Sequence, residues 1–240
     1  GAPHERVTRT GAPAVFNGVQ SWVYEEEVFG DYNAMWWSPD DAHLAYLHSD
    51  ERAVTPIRFP YYEYAPGSAR HGAGTAGAYP RIVTIPYPKA GTANPSVALR
   101  VRDMRNGTTV DVDTANGTCV LGGYVTSVQW HSPGNVLVTS VDRAWKRVVV
   151  ALADARTGAC AVLYAVASPA DWVAQTPLFV LPRGDVAHVR VHDDHYHVAL
   201  YAVDVARRAA RFERWLTDGA RDVASIVGYE RAARRLLVLA

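Results

Sequence analysis

Helical periodicity is almost missing from this 240-residue sequence. Apolar residues seldom recur at the three- and four-residue spacing of an amphipathic helix, which excludes a helical bundle. No apolar run approaches the roughly 20 residues that a membrane-spanning helix needs. An excess of one charge is missing as well. The 24 basic residues meet 24 acidic ones, which leaves no electrostatic footprint for nucleic acid or an anionic membrane. With two cysteines, Cys119 and Cys160, the sequence can form one disulfide or none, and no redox framework. A charged-then-apolar leader is not read at the N-terminus. The sequence opens at Gly1 and closes on "RRLLVLA", an apolar run that wants a strand partner, so a piece of a longer protein is expected.

What is there is strand and turn. Hydrophobic residues make up 49% of the chain, enough for a substantial core. "HLAYLHSD" follows a Trp37-Ser38-Pro39-Asp40 turn, and "RIVTIPYP" and "SVALRVRDM" read as a pair interrupted by Lys89-Ala90-Gly91. "YVTSVQW", "NVLVTSVD", "RVVVALADARTGAC" and "LFVLPRGDVAHVRVHDDHYHVALYAVD" continue the pattern. Such runs of Val, Tyr and Leu, bounded by Pro, Gly, Asp and Asn, are strands and turns. Helix is predicted only around Glu25 to Ala34 and over "PADWVAQ". "WWSPDDAHLAYLHS" and "VQWHSPGNVLVTSV" share a tryptophan, a Ser-Pro turn and an apolar strand. The later units recur at roughly 50 residues, a β-propeller spacing rather than a sandwich one. The segment from Asp50 to Gly77 breaks the rhythm and reads as a long excursion.

Three motifs invite chemistry. Gly72-Ala73-Gly74-Thr75-Ala76-Gly77 matches G-x-G-x-x-G, but Pro80 and a strand follow where a phosphate-binding helix is required, so nucleotide binding is rejected. In "HDDHYH", His195 and His197 face one side of a strand and could ligate zinc, yet Asp193-Asp194 sits where a hairpin turn belongs, and the reading is a turn rather than a metal site. A Gly-x-Ser-x-Gly elbow does not occur, and Ser38, Ser132 and Ser168 precede turn residues. Two sequons, at Asn106 and Asn116, leave the compartment open.

The third motif is "SWVYEEEVFGDYNAMWWSPDD". Glu25, Glu26 and Glu27 stand together in apolar company, where each carboxylate makes the next costlier to ionise. Two readings fit: a solvated acidic turn, or a site that receives a cation.

"NGVQSWVYEEEVFGDYNAMWWSPDDAHLAYL" resembles the N-terminal propeller of the dipeptidyl peptidase IV family, serine peptidases of the prolyl oligopeptidase group. "YPRIVTIPYPKAGTANPSVALRVRD" is similar to a second family stretch, and two looser ones are "VQWHSPGNVLVTSVDRAWKRVVVALADARTGAC" and "LTDGARDVASIVGYERAARRLLVLA". The resemblance implies an all-β fold: a partial β-propeller of about four blades, each a four-stranded antiparallel sheet, with a short helical segment carrying the glutamates. Residues 1–240 would form one domain, the central part of the propeller, with the C-terminal α/β-hydrolase domain outside the chain. It implies that Glu26 and Glu27 hold the N-terminal ammonium of a peptide, with Trp22 and Tyr24 packing and orienting the loop. The parent protein would release X-Pro or X-Ala dipeptides, while this chain alone, lacking the catalytic triad, would be inactive.

The implied partners are peptides with a free N-terminus, the hydrolase domain and a second copy of the full-length protein. No nucleic acid, metal or cofactor is expected, and a membrane-anchored or secreted location is implied. A catalytically silent relative serving as an accessory subunit is the alternative, and a free-standing binding module a third. There are departures too. "DWVAQTPLFV" is shorter than the family's stretch and has no Phe-Arg pair for extended substrate contacts. Asp194-His195-Tyr196-His197 stands for the family's Gly-Tyr-Arg-His turn. Cys160 matches a family cysteine whose local partner position is Ala153, so a family-like disulfide is not expected and a Cys119–Cys160 bridge would be a different one.

Overall fold

The computed structural model describes residues 6–62, 79–112, 119 and 123–240. In chain order, strand β1 (Val15–Asn17) is followed by a π-helix (Tyr24–Phe29), β2 (Met35–Trp37) and β3 (His43–Asp50). Next come β4 (Pro56–Tyr61), β5 (Arg81–Pro86), β6 (Ser96–Asp103) and β7 (Thr109–Asp111). Then follow β8 (Tyr124–Ser132), β9 (Asn135–Val141), β10 (Arg147–Asp154) and β11 (Cys160–Ala167). The last strands are β12 (Leu178–Val180), β13 (Val186–His192), β14 (His195–Asp204), β15 (Ala209–Trp215), β16 (Ser225–Glu230) and β17 (Arg235–Leu239). They fall into two compact units, Gly1–Ala34 with His48–Val97, and Met35–Leu47 with Ala98–Ala240.

In the first unit, β1 pairs antiparallel with the end of β3, Val15 opposite Asp50 and Asn17 opposite His48. The pairing is locked by His48 Nδ1 and Asn17 Oδ1 at 2.9 Å. β4 and β5 form a separate two-stranded arm, with Pro56 opposite Pro86 and Tyr61 opposite Arg81. Pro56 and Pro60 cannot donate to a ladder, and a two-stranded arm made only of edges tolerates them. Here the sequence expectation is corrected: "RIVTIPYP" pairs with β4, not with "SVALRVRDM", which joins the β3 sheet as β6. Tyr87 N–H donating to Thr55 O at 3.1 Å extends the β4 ladder past the strand end and captures this segment. The excursion after Asp50 therefore contains a strand that its prolines conceal. The Gly72–Gly77 motif and Asn116 lie outside the described residues.

The second unit is built from antiparallel sheets in succession. β2 pairs with the first part of β3, Trp36 opposite Ala45, and the sheet continues through β6 to β7. β8 to β11 form a four-stranded meander, β12 to β15 form another, and β16 pairs with β17. The alternation of β13 explains the stacking. Val186 faces a cluster with Leu137, Val150, Leu152 and Leu163 of the preceding meander, completed by Ala199 and Tyr201. Its neighbours Ala187 and Val189 point the other way, with Val198 and Val223, against Ile226, Leu236 and Val238. Successive side chains leave a strand on opposite faces, so one apolar strand seals two sheet contacts. Each fully buried Val or Leu contributes about 1.5–3 kcal/mol by leaving water. Between the first sheet and the β8–β11 meander, Trp130 Nε1–H donates to Trp36 O at 3.0 Å. The fold is all-β, a partial β-propeller of four-stranded antiparallel sheets.

Turns follow from residues that tolerate left-handed backbone. Asp193 and Asp194, at φ 49° and 66°, make the two-residue hairpin turn between β13 and β14 that "HDDHYH" predicts. Asp40 organises the earlier turn: its carboxylate accepts from Ser38 Oγ at 2.7 Å and from Ala42 N–H at 3.3 Å. The helix predicted over "PADWVAQ" does not form. Its backbone is spent on tertiary bonds: Val173 N–H donates to Trp145 O at 2.7 Å, and Lys146 Nζ donates to Ala170 O at 3.0 Å and Asp171 O at 3.2 Å. Cys119 and Cys160 are joined in a disulfide, with Cα atoms 6.1 Å apart. Ala153 lies directly across from Cys160 in the β10–β11 ladder.

Candidate functional site

The glutamate run sits on the π-helix Tyr24–Phe29, in the first unit. A loop closed at its base carries that helix. Ala34 N–H donates to Gly18 O at 3.1 Å, Gln20 N–H to Tyr32 O at 2.9 Å and Gln20 Nε2–H to Asn33 O at 3.2 Å. Glu25 N–H donates to Ser21 O at 2.9 Å and starts the winding. Gly30, at φ 65° and ψ 21°, stops it in a left-handed conformation that a side chain would strain.

The wide π turn returns every fifth residue to one side, which brings Tyr24 and Phe29 together at 6.3 Å between ring centroids with planes 23° apart. Tyr24 is 1% exposed and Val23 8%. Trp22 tilts onto Tyr87, 4.2 Å between centroids. With the aromatic neighbours packed away, Glu25, Glu26 and Glu27 are all left exposed to solvent. The alternation of apolar anchors and three consecutive carboxylates is thus a mounting: buried rings fix the backbone, and the acids face out. Short π-helical turns of this kind are rare and occur often at functional sites.

The contact of Trp22 with Tyr87 joins two stretches that the sequence treats as separate motifs. Tyr87 opens the Tyr87-Pro88-Lys89-Ala90-Gly91 turn, which is closed by Thr92 Oγ1 donating to Lys89 O at 2.7 Å and accepting from Lys89 N–H at 2.9 Å. Tyr87 and Gln20 are the supporting residues that sequence reasoning passed over. A half-buried aromatic beside a turn gives no local sign of which loop it will support.

The histidines of "HDDHYH" are engaged in packing. His192 stacks on Trp215 at 4.3 Å with planes 7° apart, His197 is buried with Nδ1 3.2 Å from Thr217 Oγ1, and His195 Nδ1 lies 3.4 Å from Asp222. Among the described residues, no group of three or more His, Cys, Asp or Glu is arranged to hold a metal ion. A cavity of about 730 Å³ opens in the second unit beside the β16–β17 hairpin. Arg183, Arg214, Arg231, Arg234 and Arg235 line it with Asp185, so its charge suits no cation. The acidic run of the first unit, by contrast, presents three carboxylates to solvent.

The family model described as the dipeptidyl peptidase IV (DPP IV) N-terminal region matches residues 1–239. Venom dipeptidyl peptidase 4 of Apis mellifera is 30% identical over 257 aligned residues, which span 100% of this chain and 31% of that protein. A probable dipeptidyl-aminopeptidase B of Talaromyces marneffei is 38% identical over 155 residues, 64% of this chain and 17% of that protein. The crystal structure of Porphyromonas gingivalis dipeptidyl peptidase 4 matches with a TM-score of 0.75 and 27% identity, covering 94% of this chain and 30% of that one. The chain thus spans less than a third of the length of these relatives. It belongs to the dipeptidyl peptidase IV family, as part of that family's N-terminal region.

Proposed function

We propose that this chain is the propeller part of a serine-type dipeptidyl aminopeptidase, in which Glu26 and Glu27 receive the free N-terminal ammonium of a peptide. The observation that carries the reading is the exposed glutamate run mounted on a π-helix whose aromatic neighbours are packed away. An ammonium has three N–H donors and no acceptor, so two adjacent carboxylates can each take one or more charge-assisted bonds from it. Such bonds contribute about 1.5–3 kcal/mol each. A peptide held by its amino end is measured from that end. A nucleophile at fixed distance then cleaves after the second residue, with remote binding energy positioning the scissile bond. The products are X-Pro or X-Ala dipeptides.

The nucleophile and its Asp and His partners belong, in this reading, to an α/β-hydrolase domain of the same protein, and residues 1–240 form one central portion of a propeller that gates access to it. Carboxylates alone hold the ammonium, so substrate recognition needs no cofactor. A homodimer and a membrane-anchored or secreted location belong to the same reading. The names of the relatives, all peptidases, support the enzymatic version.

The test uses the full-length protein and a chromogenic Gly-Pro substrate, free or N-acetylated. The free substrate is expected to be cleaved and the acetylated one not, with Glu26→Gln and Glu27→Gln each lowering kcat/KM for the free form. Equal cleavage of both substrates, or full activity in both variants, would overturn the assignment.

A further inference from the structure

Away from the glutamates, the second unit buries a polar cluster that peptide recognition does not use. His188 on β13 is 3% exposed, inside the contact between the β8–β11 and β12–β15 meanders. Its Nδ1 lies 2.9 Å from the hydroxyl of Tyr164, on β11, and its Nε2 lies 3.0 Å from Thr176 Oγ1, on the connection to β12. Tyr164 stacks on Tyr201 of β14, with centroids 4.0 Å apart and planes 2° apart. The Tyr201 hydroxyl in turn accepts from Arg190 Nη1 at 2.5 Å. His188's cross-strand neighbours, Leu178 and Ala199, are uncharged.

The geometry points to His188 and Tyr164 forming an acid-labile latch between these two sheets. A neutral imidazole has one N–H and one lone pair, and the two hydroxyls match that pair: one accepts, the other donates. Protonation turns both nitrogens into donors. Both hydroxyls must then accept, so the one that had donated turns its hydrogen away from the imidazole. That hydrogen loses its partner, while a positive charge is placed in a buried contact. The new cation would also lie near the Arg190 guanidinium, with hydroxyls rather than a carboxylate as its bonded neighbours.

Burial first, then the Arg190 charge, lowers the His188 pKa from 6.5 to about 3. The direction of the pH effect follows. Because the folded-state pKa lies below the unfolded one, the opened state binds more protons between about pH 6.5 and 3. The latch is at full strength above that window and weakens as pH falls through it. Tyr164 and Tyr201, whose hydroxyls burial pushes up in pKa, stay neutral throughout.

The experiment is amide hydrogen exchange of the full-length protein at pH 7 and pH 5, corrected for the intrinsic rates. Protection of β11 and β13 is expected to fall roughly 20-fold more than a pH-independent contact would allow, and His188→Gln is expected to abolish that extra loss, whatever its protection at pH 7. A pH response of β11 and β13 unchanged in His188→Gln would overturn the latch. A variant-free check is exchange at the imidazole C2–H of the native protein. His188 is expected to show no inflection between pH 5 and 8, and an inflection near the ordinary histidine value would equally overturn it.

Discussion

Two polar clusters of this molecule are mounted on apolar anchors in opposite ways. In the first unit, Tyr24 and Val23 go inward and three carboxylates stay in water. In the second, Tyr164, His188 and Tyr201 go inward together, and each polar atom finds a partner inside the contact. Exposure leaves the glutamates with bonding capacity for an incoming cation. Burial uses up the capacity of the histidine, so it holds packed sheets together and takes no ligand. Polar side chains therefore serve a ligand or the fold according to what surrounds them, since an unmade bond is cheap in water and costs about 1–3 kcal/mol when buried.

The largest expected effect breaks the glutamate side of this comparison. The double variant Glu26→Gln, Glu27→Gln in the full-length protein should lose roughly 10³-fold in kcat/KM on free dipeptidyl substrates, about two charge-assisted bonds, with its melting temperature unchanged. A matched fall in melting temperature would show that the acids hold up the fold instead. Next, Tyr24→Ala should destabilise by about 3–5 kcal/mol, as a buried aromatic does, and lose activity together with stability in a denaturant titration. That variant separates the mounting from the group mounted.

On the buried side, Cys160→Ser opens a bridge that spans 41 residues and should cost about 4 kcal/mol by the chain-entropy relation, read as a lower denaturation midpoint under oxidising conditions. Gly158→Ala should follow closely. A Cβ there would meet the Asp111 carbonyl oxygen at 2.1 Å in a backbone already at φ 72°, so β7 must shift, which comparative crystallography or thermal melting would register. The smallest effect tests an exposed ion pair. Hydrogen bonds from the Arg52 side chain, then its backbone, hold the Asp50 carboxyl at about 2. Its contribution is present above about pH 3.8 and fades as pH falls toward 2. Arg52→Ala should move the Asp50 titration upward by NMR with hardly any change in melting temperature, as solvent-screened pairs behave.

Much of the fold is legible along the chain because strands announce themselves locally. β3 occupies "HLAYLHSD" to the residue, the Asp193-Asp194 turn lies where the motif puts it, and the helical turn forms around the glutamates. What misled was pairing. β4 hides behind two prolines and takes β5 from its sequence neighbour β6, and "PADWVAQ" gives its backbone to Trp145 and Lys146 instead of to a helix. Strand partners and strapped loops depend on residues far away in sequence, which no local window contains.

The candidate site divides along the same line. The glutamate run stands out as a string of like charges among aromatics, and its membership of a recognisable stretch is a property of the string. That Tyr87, some 60 residues later, supports Trp22, and that Gln20 closes the loop, depend on the folded chain. His188 is the extreme case. As a letter it is a histidine in an apolar strand, and only the convergence of β11, β13, β14 and the Thr176 connection makes it neutral, bonded on both nitrogens and sensitive to acid. Sequence by itself determined the strand pattern and the exposed acids, because alternation and like-charge runs are local facts. Which polar groups are buried, and with whom, the tertiary structure decided, because desolvation is a property of the whole packed surface and not of any segment of it.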